Sequence, residues 1–367
     1  MIHMNNVELH NVEELPVIEG RPGRLLQRIP NRVLHALREP AQAIYRRAAG
    51  CEIRFVSDLE PVGVQLASYN GDSIATVYIG DYFVSQHVIT QQAVTLHLEL
   101  PSPYFLAMEA GQKLQYAFSP KVWRIMLQGG EVHLLDVQGA SLRPPAPEEL
   151  PARRYLAYGT SITQGVSATS AELTYVSQAA WCLKADAINL GVAGNAYCEP
   201  AIADYIADRN DWDFASLCIS VNMLNQGVSV EEFEGRAEAM VRRIAAGQPN
   251  KPLLCIGLIP LFMDQGFLWP DKDPVSTPGA YREALQTIVR RLQSEHVHYV
   301  DGRELFGYGF YGMSHDLLHP GNNGMIEMGR NLARYFEQCG MVDGTASSLK
   351  GGMPQEGIRS QADGMIK

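Results

Sequence analysis

A serine, an aspartate and a histidine in this 367-residue chain have the types and spacing that nucleophilic catalysis requires. Ser161 lies in the segment Tyr158-Gly-Thr-Ser-Ile-Thr-Gln-Gly165, and Asp316 precedes His319 by three residues in a later segment. A serine hydroxyl becomes a good nucleophile when a base takes its proton, and an imidazole titrates near neutral pH. A carboxylate beside the imidazole fixes its tautomer. We therefore predict Ser161 as the nucleophile, His319 as the base and Asp316 as its acidic partner.

Gly194 and Asn222 lie in two short segments that could stabilise an oxyanion. Acyl transfer passes through a tetrahedral intermediate whose negative oxygen needs hydrogen-bond donors fixed in advance. Both residues follow apolar runs, so we predict an oxyanion hole made of the Ser161 and Gly194 backbone amides and the Asn222 side-chain amide. In structural terms alone, Gly194 permits a tight turn and Asn222 satisfies loop backbone groups. Only Ser161 favours the functional interpretation.

The three catalytic candidates have structural alternatives as well. Ser161 could be only a helix cap and His319 only a loop histidine, while the neighbouring His315 competes for the role of base. We favour His319 because it follows Asp316, whereas His315 precedes it. Thr163 stands where a Gly-x-Ser-x-Gly nucleophile elbow has glycine, which disfavours the α/β-hydrolase fold.

The segment 260–270 is long and apolar for a connecting loop. It could simply cover one end of a sheet, or it could form the wall of an acyl or alcohol pocket. In the second case Phe267 and Trp269, together with Tyr197 and Met223, would contact the substrate. Both interpretations stay open at this point.

The elements that must position these residues alternate between strand and helix after residue 153. Apolar runs predict five strands: Arg154–Tyr158, Ala187–Gly191, Phe214–Val221, Leu253–Ile259 and Val297–Val300. Helices are expected to begin after Ser229 and Thr277, which have the residue types of N-caps, and a last helix is expected over 325–338. The alternation predicts an α/β fold with a doubly wound parallel sheet, in which sites lie at the carboxyl ends of the strands.

The first part of the chain has the pattern of an all-β sandwich. Short runs such as Cys51–Phe55 and Val62–Leu66 alternate apolar and polar residues, and we expect Asn70-Gly71-Asp72 and Gly129-Gly130 to be turns that separate strands. We predict a β-sandwich domain over 1–142, a proline-rich linker over 143–152, an α/β domain over 153–340 and a flexible tail over 341–367.

Composition excludes several classes of partner. The net charge is −10 and the basic residues are dispersed, which disfavours nucleic acid and anionic membranes. The sequence has no apolar run of 18 residues, and its start has no basic and apolar signal segment, so we predict a cytoplasmic location. His296 and His298 lack the spacing of a metal site, and no metal or organic cofactor is expected.

The four chemical segments, in this order, resemble the conserved blocks of the SGNH (GDSL-type) serine hydrolase superfamily. The matching segments are Tyr158–Gly165, Asn189–Asn195, Ser220–Asn222 and Asp316–Pro320. Thr160 replaces an aspartate that the first block commonly has, and Ser220 and Met223 replace a glycine and an aspartate of the third. The resemblance covers roughly residues 153–340 and implies a flavodoxin-like five-stranded sheet.

The chain also resembles the two-domain subgroup of this superfamily that has a jelly-roll β-sandwich before the catalytic domain, which includes carbohydrate deacetylases and an acyltransferase. The resemblance implies a serine esterase that cleaves small, acetyl-like esters on a sugar or glycosylated small molecule through an acyl-enzyme on Ser161. An acyltransferase acting on a natural-product hydroxyl is an alternative with the same residues. A carbohydrate-binding protein with an inactive hydrolase domain, or a sandwich that only buttresses the catalytic domain, are further alternatives.

Overall fold

The structure is a computed structural model that describes residues 2–57, 61–99, 101–268, 275–309 and 311–342. Trp269 and residues 343–367 of the predicted tail lie outside the described residues.

The N-terminal half is built on one antiparallel sheet of nine strands. The strands are β1 (Ile2–Met4), β2 (Val7–His10), β3 (Arg24–Leu25), β4 (Ala49–Ser57), β5 (Val62–Ile79), β6 (Tyr82–Ile89), β7 (Val94–Leu98), β8 (Val122–Gln138) and β9 (Leu142–Arg143). Among the described residues of this half, three helices accompany them: α1 (Asn31–Leu34), α2 (Glu39–Tyr45) and α3 (Pro103–Ala110). The first half of β5 pairs with β7 and its second half with β6, and β8 runs beside both halves. Side chains from both parts share one buried core, so the sheet forms two layers of a sandwich.

The prediction that two glycine-containing segments separate strands is wrong. Asn70-Gly71-Asp72 lies within β5 and Gly129-Gly130 within β8, and pairing between these strands continues on both sides of a register shift. Gly129 has a φ of 132°, and a Cβ there would lie 2.5 Å from the Asp72 carbonyl oxygen. Glycine therefore allows two long strands to change direction without ending.

The C-terminal half has a five-stranded parallel sheet, as predicted. Its strands are β10 (Arg153–Gly159), β11 (Ala185–Asn189), β12 (Phe214–Cys218), β13 (Leu253–Ile256) and β14 (Val297–Val300), in the spatial order β11-β10-β12-β13-β14. Every residue of β12 and β13 is buried, as expected for parallel strands covered on both faces. The order is that of a flavodoxin-like sheet.

Eight α-helices are described between and after these strands. They are α4 (Ser161–Gln164), α5 (Tyr175–Cys182), α6 (Pro200–Asp208), α7 (Val221–Asn225), α8 (Val230–Gly247), α9 (Pro278–Leu292), α10 (Gly302–Leu305) and α11 (Asn322–Gln338). The predicted caps are confirmed: the Ser229 hydroxyl accepts from the Glu232 amide, and the Thr277 hydroxyl accepts from the Ala280 amide. Short 3₁₀ turns lie at Pro147–Glu149, Ala171–Leu173 and Phe262–Gln265.

The core of the C-terminal half also contains residues from the first part of the chain. Val33, Leu34 and Leu37 from α1 and the residues after it, with Tyr45 of α2, are buried in the same apolar cluster as the α/β sheet. The predicted boundary at residue 142 therefore does not separate two independent cores. The domain limits, and the jelly-roll assignment of the sandwich, stay predictions.

Candidate active site

Ser161 is the first residue of α4 and follows directly on β10. The cap of this helix is Thr160, whose hydroxyl accepts a hydrogen bond from the Ile162 amide at 3.4 Å. The Thr160 amide in turn donates to the Cys218 carbonyl at 3.3 Å, which joins the turn to the end of β12. The capping role that Ser161 could have had thus belongs to its neighbour. The Ser161 hydroxyl stays available at the carboxyl edge of the sheet.

The structure brings Ser161, His319 and Asp316 into one hydrogen-bonded chain. Ser161 Oγ lies 2.7 Å from His319 Nε2, and His319 Nδ1 lies 2.6 Å from Asp316 Oδ2. When the imidazole carries its proton on Nδ1, it donates to the carboxylate, and Nε2 accepts from the serine hydroxyl. His315 is exposed, and it is His319 that contacts the serine.

Asp316 is held as an anion by its own loop. Its Oδ1 accepts from the Ser314 hydroxyl at 2.6 Å and from the Leu318 and His319 backbone amides, each at 3.0 Å. Partial burial opposes ionisation, but the hydrogen bonds from His319, Ser314 and Leu318 hold the pKa of the Asp316 carboxyl well below its usual range. The carboxylate therefore faces the imidazole in its charged form.

Two contacts from elsewhere in the α/β half support this loop. The Leu317 carbonyl accepts from the Phe262 amide at 3.0 Å and from the Tyr308 hydroxyl at 3.3 Å. Within the loop, the Ser314 amide donates to the His319 carbonyl at 2.8 Å. Part of the segment 260–270 thus supports the backbone that presents His319.

The loop that carries Gly194 is bonded to Asn222 of α7 on one side and to Gln164 of α4 on the other. Asn222 Oδ1 accepts from the Ala196 amide at 3.1 Å, so the Nδ2 end of this amide is the one left to donate elsewhere. The Ala193 amide donates to Gln164 Oε1 at 2.8 Å. Gly194 lies between these two fixed amides, with a φ of 67°. Sequence reasoning missed Gln164, although a polar side chain three residues after Ser161 was a visible signal.

The N-terminal half also holds the loop after β11. Arg28 is fully buried, and its Nη1 donates to the Gly191 carbonyl at 2.9 Å and the Asn189 carbonyl at 3.2 Å. The Tyr45 hydroxyl donates to the Leu190 carbonyl at 3.2 Å. No local pattern in the sequence pointed to these residues, because their partners lie far along the chain.

The four predicted pocket residues have different surroundings. Tyr197 is half-buried, with the Arg38 guanidinium 3.9 Å from the centre of its ring. Phe267 is 68% exposed and has surface available for a ligand. Met223 is fully buried in the α/β core, so it packs inside the protein and offers no surface to a substrate. Trp269 lies outside the described residues.

In the described part of the chain, no group of three or more His, Cys, Asp or Glu side chains is arranged to hold a metal ion. No helix of the described residues is both long and apolar enough to cross a membrane.

A flavodoxin-like sheet, with a serine after its first strand that meets an Asp-x-x-His pair from a late loop, is typical of the class of SGNH hydrolases. The GDSL-like lipase/acylhydrolase family model matches residues 157–325. The chain therefore carries a domain of this family, with an additional β-rich region before it. No curated protein is significantly similar in sequence.

Solved structures are similar over both halves of the chain. One is a salicylyl-acyltransferase, SsfX3, from a tetracycline biosynthetic pathway, with 18% identity, coverage of 92% of this chain and 95% of that one, and a TM-score of 0.74. A putative GDSL-like lipase from Bacteroides ovatus has 16% identity, coverage of 92% and 99%, and a TM-score of 0.66. A family two carbohydrate esterase from Cellvibrio japonicus has 17% identity, coverage of 80% and 90%, and a TM-score of 0.58. At these identities the likeness shows the fold.

Proposed function

We propose that this chain is a serine esterase that cleaves small acyl esters through an acyl-enzyme on Ser161. The observation that carries the proposal is the chain of short hydrogen bonds from Ser161 Oγ through His319 to Asp316, at 2.7 and 2.6 Å. These distances lie within the range in which a base takes a proton from a nucleophile.

In the first half-reaction Ser161 Oγ attacks the carbonyl carbon of the ester, and its proton passes to His319 Nε2. The imidazolium that forms donates from Nδ1 to the Asp316 carboxylate. The negative charge moves to the former carbonyl oxygen, which the Ser161 and Gly194 amides and Asn222 Nδ2 would stabilise. The intermediate then breaks its bond to the alcohol, which leaves with the proton that His319 held.

In the second half-reaction a water molecule gives a proton to His319 and attacks the acyl carbon. Collapse of this second intermediate breaks the bond to Ser161 Oγ, which regains its proton from His319. The products are an alcohol and a carboxylic acid. None of these steps requires a cofactor.

We further propose that the alcohol portion is a sugar or a glycosylated small molecule and that the acyl group is acetyl-like. A carbohydrate esterase and an acetyl xylan esterase share the fold. Phe267 and Tyr197 are the pocket residues that stay in this proposal. Replacing Phe267 with alanine should change the preference among acetyl, butyryl and longer esters, and an unchanged preference would remove this residue from the pocket. The cytoplasmic location also stays a prediction.

An acyltransferase is the second candidate function. A salicylyl-acyltransferase matches 92% of this chain with a TM-score of 0.74. The residues and the acyl-enzyme would be the same, but a hydroxyl of an acceptor would replace water in the second half-reaction. Product analysis with and without a sugar or phenolic acceptor separates the two functions, because only a transferase forms a new ester in excess water.

The decisive test is turnover of p-nitrophenyl acetate by the wild type, Ser161→Ala and the control Ser167→Ala. We expect Ser161→Ala to lose about 10⁴-fold or more in kcat, because the acyl-enzyme cannot form. The control removes a half-buried hydroxyl of the same segment and should retain the wild-type rate. Equal rates in all three proteins would instead favour a carbohydrate-binding protein with an inactive hydrolase domain. A panel of acetylated sugars would then identify the substrate.

A further inference from the structure

We propose that Arg38, from the N-terminal half, is a positioning residue that fixes the backbone amide of Gly194 for the transition state. This inference rests on the proposed function and deepens it. It assigns to the first part of the chain a role in the rate of the chemical step.

Arg38 contacts three residues of the segment that follows Gly194. Its Nη2 donates to Asn195 Oδ1 at 3.2 Å. The carbon of its guanidinium lies 3.9 Å from the centre of the Tyr197 ring, and its Nε lies 3.9 Å from Glu199 Oε1. One side chain therefore joins three positions of this segment to the residues that begin α2.

Asn195 passes this support to the other side of Gly194. Its Nδ2 donates to the Ala193 carbonyl at 2.8 Å, while its Oδ1 accepts from Arg38. A backbone hydrogen bond from the Asn195 amide to the Val192 carbonyl, at 3.1 Å, closes the turn around Gly194, and beyond its chain neighbours no described atom lies within 4 Å of the position that a Gly194 Cβ would take. The Asn195 side chain thus connects Arg38 to the Ala193 carbonyl, while Gly194 itself stays exposed to solvent or substrate.

The inner side of the same loop is fixed by the α/β half. The Ala193 amide bonds to Gln164, and the Ala196 amide bonds to Asn222. Arg38 supplies the support on the outer side. Without Arg38, the turn keeps its backbone bond from Asn195 to Val192 but loses the side-chain contact that orients Asn195, so we expect the direction of the Gly194 amide to vary more.

A loss of this kind should act on the transition state more than on substrate binding. The oxyanion exists only after attack by Ser161, so a donor that points at it raises kcat without changing the affinity for the ester. The Arg38 side chain is 51% exposed. Its removal therefore leaves no buried cavity, and we expect the fold to persist.

The experiment measures kcat and KM on p-nitrophenyl acetate, a small uncharged ester, for four variants of the full chain. Arg38→Ala should lower kcat about 10-fold or more, as expected for a displaced catalytic group, with KM within about twofold of wild type. Arg38→Lys should recover part of the rate, because an ammonium can reach one acceptor and lie over Tyr197. Arg32→Ala removes another exposed arginine, from α1, and should leave both constants unchanged. Ser161→Ala reports on the proposed function.

A double-mutant cycle sharpens this test. If Arg38 acts through Asn195, then Arg38→Ala combined with Asn195→Ala should cost little more than either change alone. A merely structural role would lower the melting temperature, and an Arg38 that acts independently of Asn195 would give additive losses in kcat.

Three results would overturn the inference. They are a wild-type kcat in Arg38→Ala, an equal loss in Arg32→Ala, and a rise in KM with kcat unchanged, which would mean direct contact with the substrate. These outcomes, with an inactive Ser161→Ala, contradict only the role of Arg38. A fully active Ser161→Ala would contradict the proposed function itself.

Discussion

The loop that carries His319 and the loop that carries Gly194 both adjoin Ser161, but their supports come from different parts of the chain. In the first loop, Asp316 accepts hydrogen bonds from residues two or three positions away. In the second loop, the carbonyls of Leu190 and Gly191 accept from side chains 145 and 163 residues away. The side that would move the proton is thus held mainly within its own loop, with added support from Phe262 and Tyr308, and the side that would stabilise the oxyanion is held by both halves of the chain.

The side chains that support the two loops also differ in their exposure to solvent. The Asp316 side chain is 39% exposed, whereas Arg28 is fully buried and bonds to backbone carbonyls. Losing a buried donor leaves buried acceptors without partners, which costs stability. Changes in the first loop should therefore affect chemistry more than stability, while changes behind the second should affect chemistry and stability together.

The largest effect on rate should come from the local loop. Asp316→Asn should lower kcat by about 10⁴-fold, because an amide favours the wrong tautomer of His319. The melting temperature should fall by less than in a variant of the buried Arg28, since the Asp316 side chain is partly exposed. Ester hydrolysis and thermal unfolding of the same preparation check both points. A strongly destabilised variant would show that this loop also holds the fold together.

Asn222→Ala tests the predicted oxyanion hole beside the Gly194 loop, and its effect on rate should be smaller than that of Asp316→Asn. Loss of one oxyanion donor should lower kcat by about 10²–10³-fold with little change in KM. Gln226→Ala, an exposed position next to the end of α7, serves as the matched control and should behave as wild type. A rise in KM as the main effect would assign Asn222 to substrate binding.

Arg28→Met should show that the support behind the Gly194 loop also stabilises the fold. We expect the free energy of unfolding to fall by about 3 kcal/mol, because several buried carbonyls lose their donor at once. The rate should fall as well, since the Asn189–Gly191 backbone loses its support. Urea unfolding and kcat on the folded fraction measure the two effects. An unchanged kcat would mean that the Gly194 loop keeps its geometry without the N-terminal half.

The smallest effect on rate should come from the ion pairs between the halves. Arg54, which is fully buried, bonds to Asp186 at 2.6 and 2.8 Å. Burial opposes ionisation of Asp186, but the Arg54 guanidinium lowers the pKa of this carboxyl below its usual value. The contribution of the ionised Asp186 carboxyl to stability should be complete above the ordinary aspartate pKa, about 4. This contribution should be lost as the pH falls below that value and through the lowered pKa of the folded state.

Acid unfolding curves of wild type and Asp186→Asn test this pH dependence. The variant should be less stable at neutral pH and should lose less of its remaining stability on acidification. The exposed Asp208→Asn is the matched control. Parallel curves for wild type and Asp186→Asn would exclude Asp186 as a source of acid sensitivity.

Much of the C-terminal half could be predicted because its signals are local. The five parallel strands follow from apolar runs, and the caps Ser229 and Thr277 follow from residue types at the helix starts. The contact between Ser161 and His319 joins residues 158 positions apart, and it could be predicted only because the order of the segments resembles that of the SGNH superfamily. The continuous strands at Gly71 and Gly129 could not be predicted, because a glycine that ends a strand and one that bends it look the same in sequence.

Periodicity and residue types therefore specified the sheet, its helices and the Asp316–His319 pair, because each depends on neighbours within a few positions. The contact of His319 with Ser161 spans 158 positions, and its prediction came from the order of the segments and their family resemblance. The long-range fold specified which side chains of the first 45 residues reach the Gly194 loop and why Met223 faces inward. Those contacts join residues more than 100 positions apart, and their partners are mostly backbone carbonyls, which every residue has. A donor that bonds to a backbone carbonyl places no requirement on the residue type of its partner, so only the folded structure shows which residues are bonded.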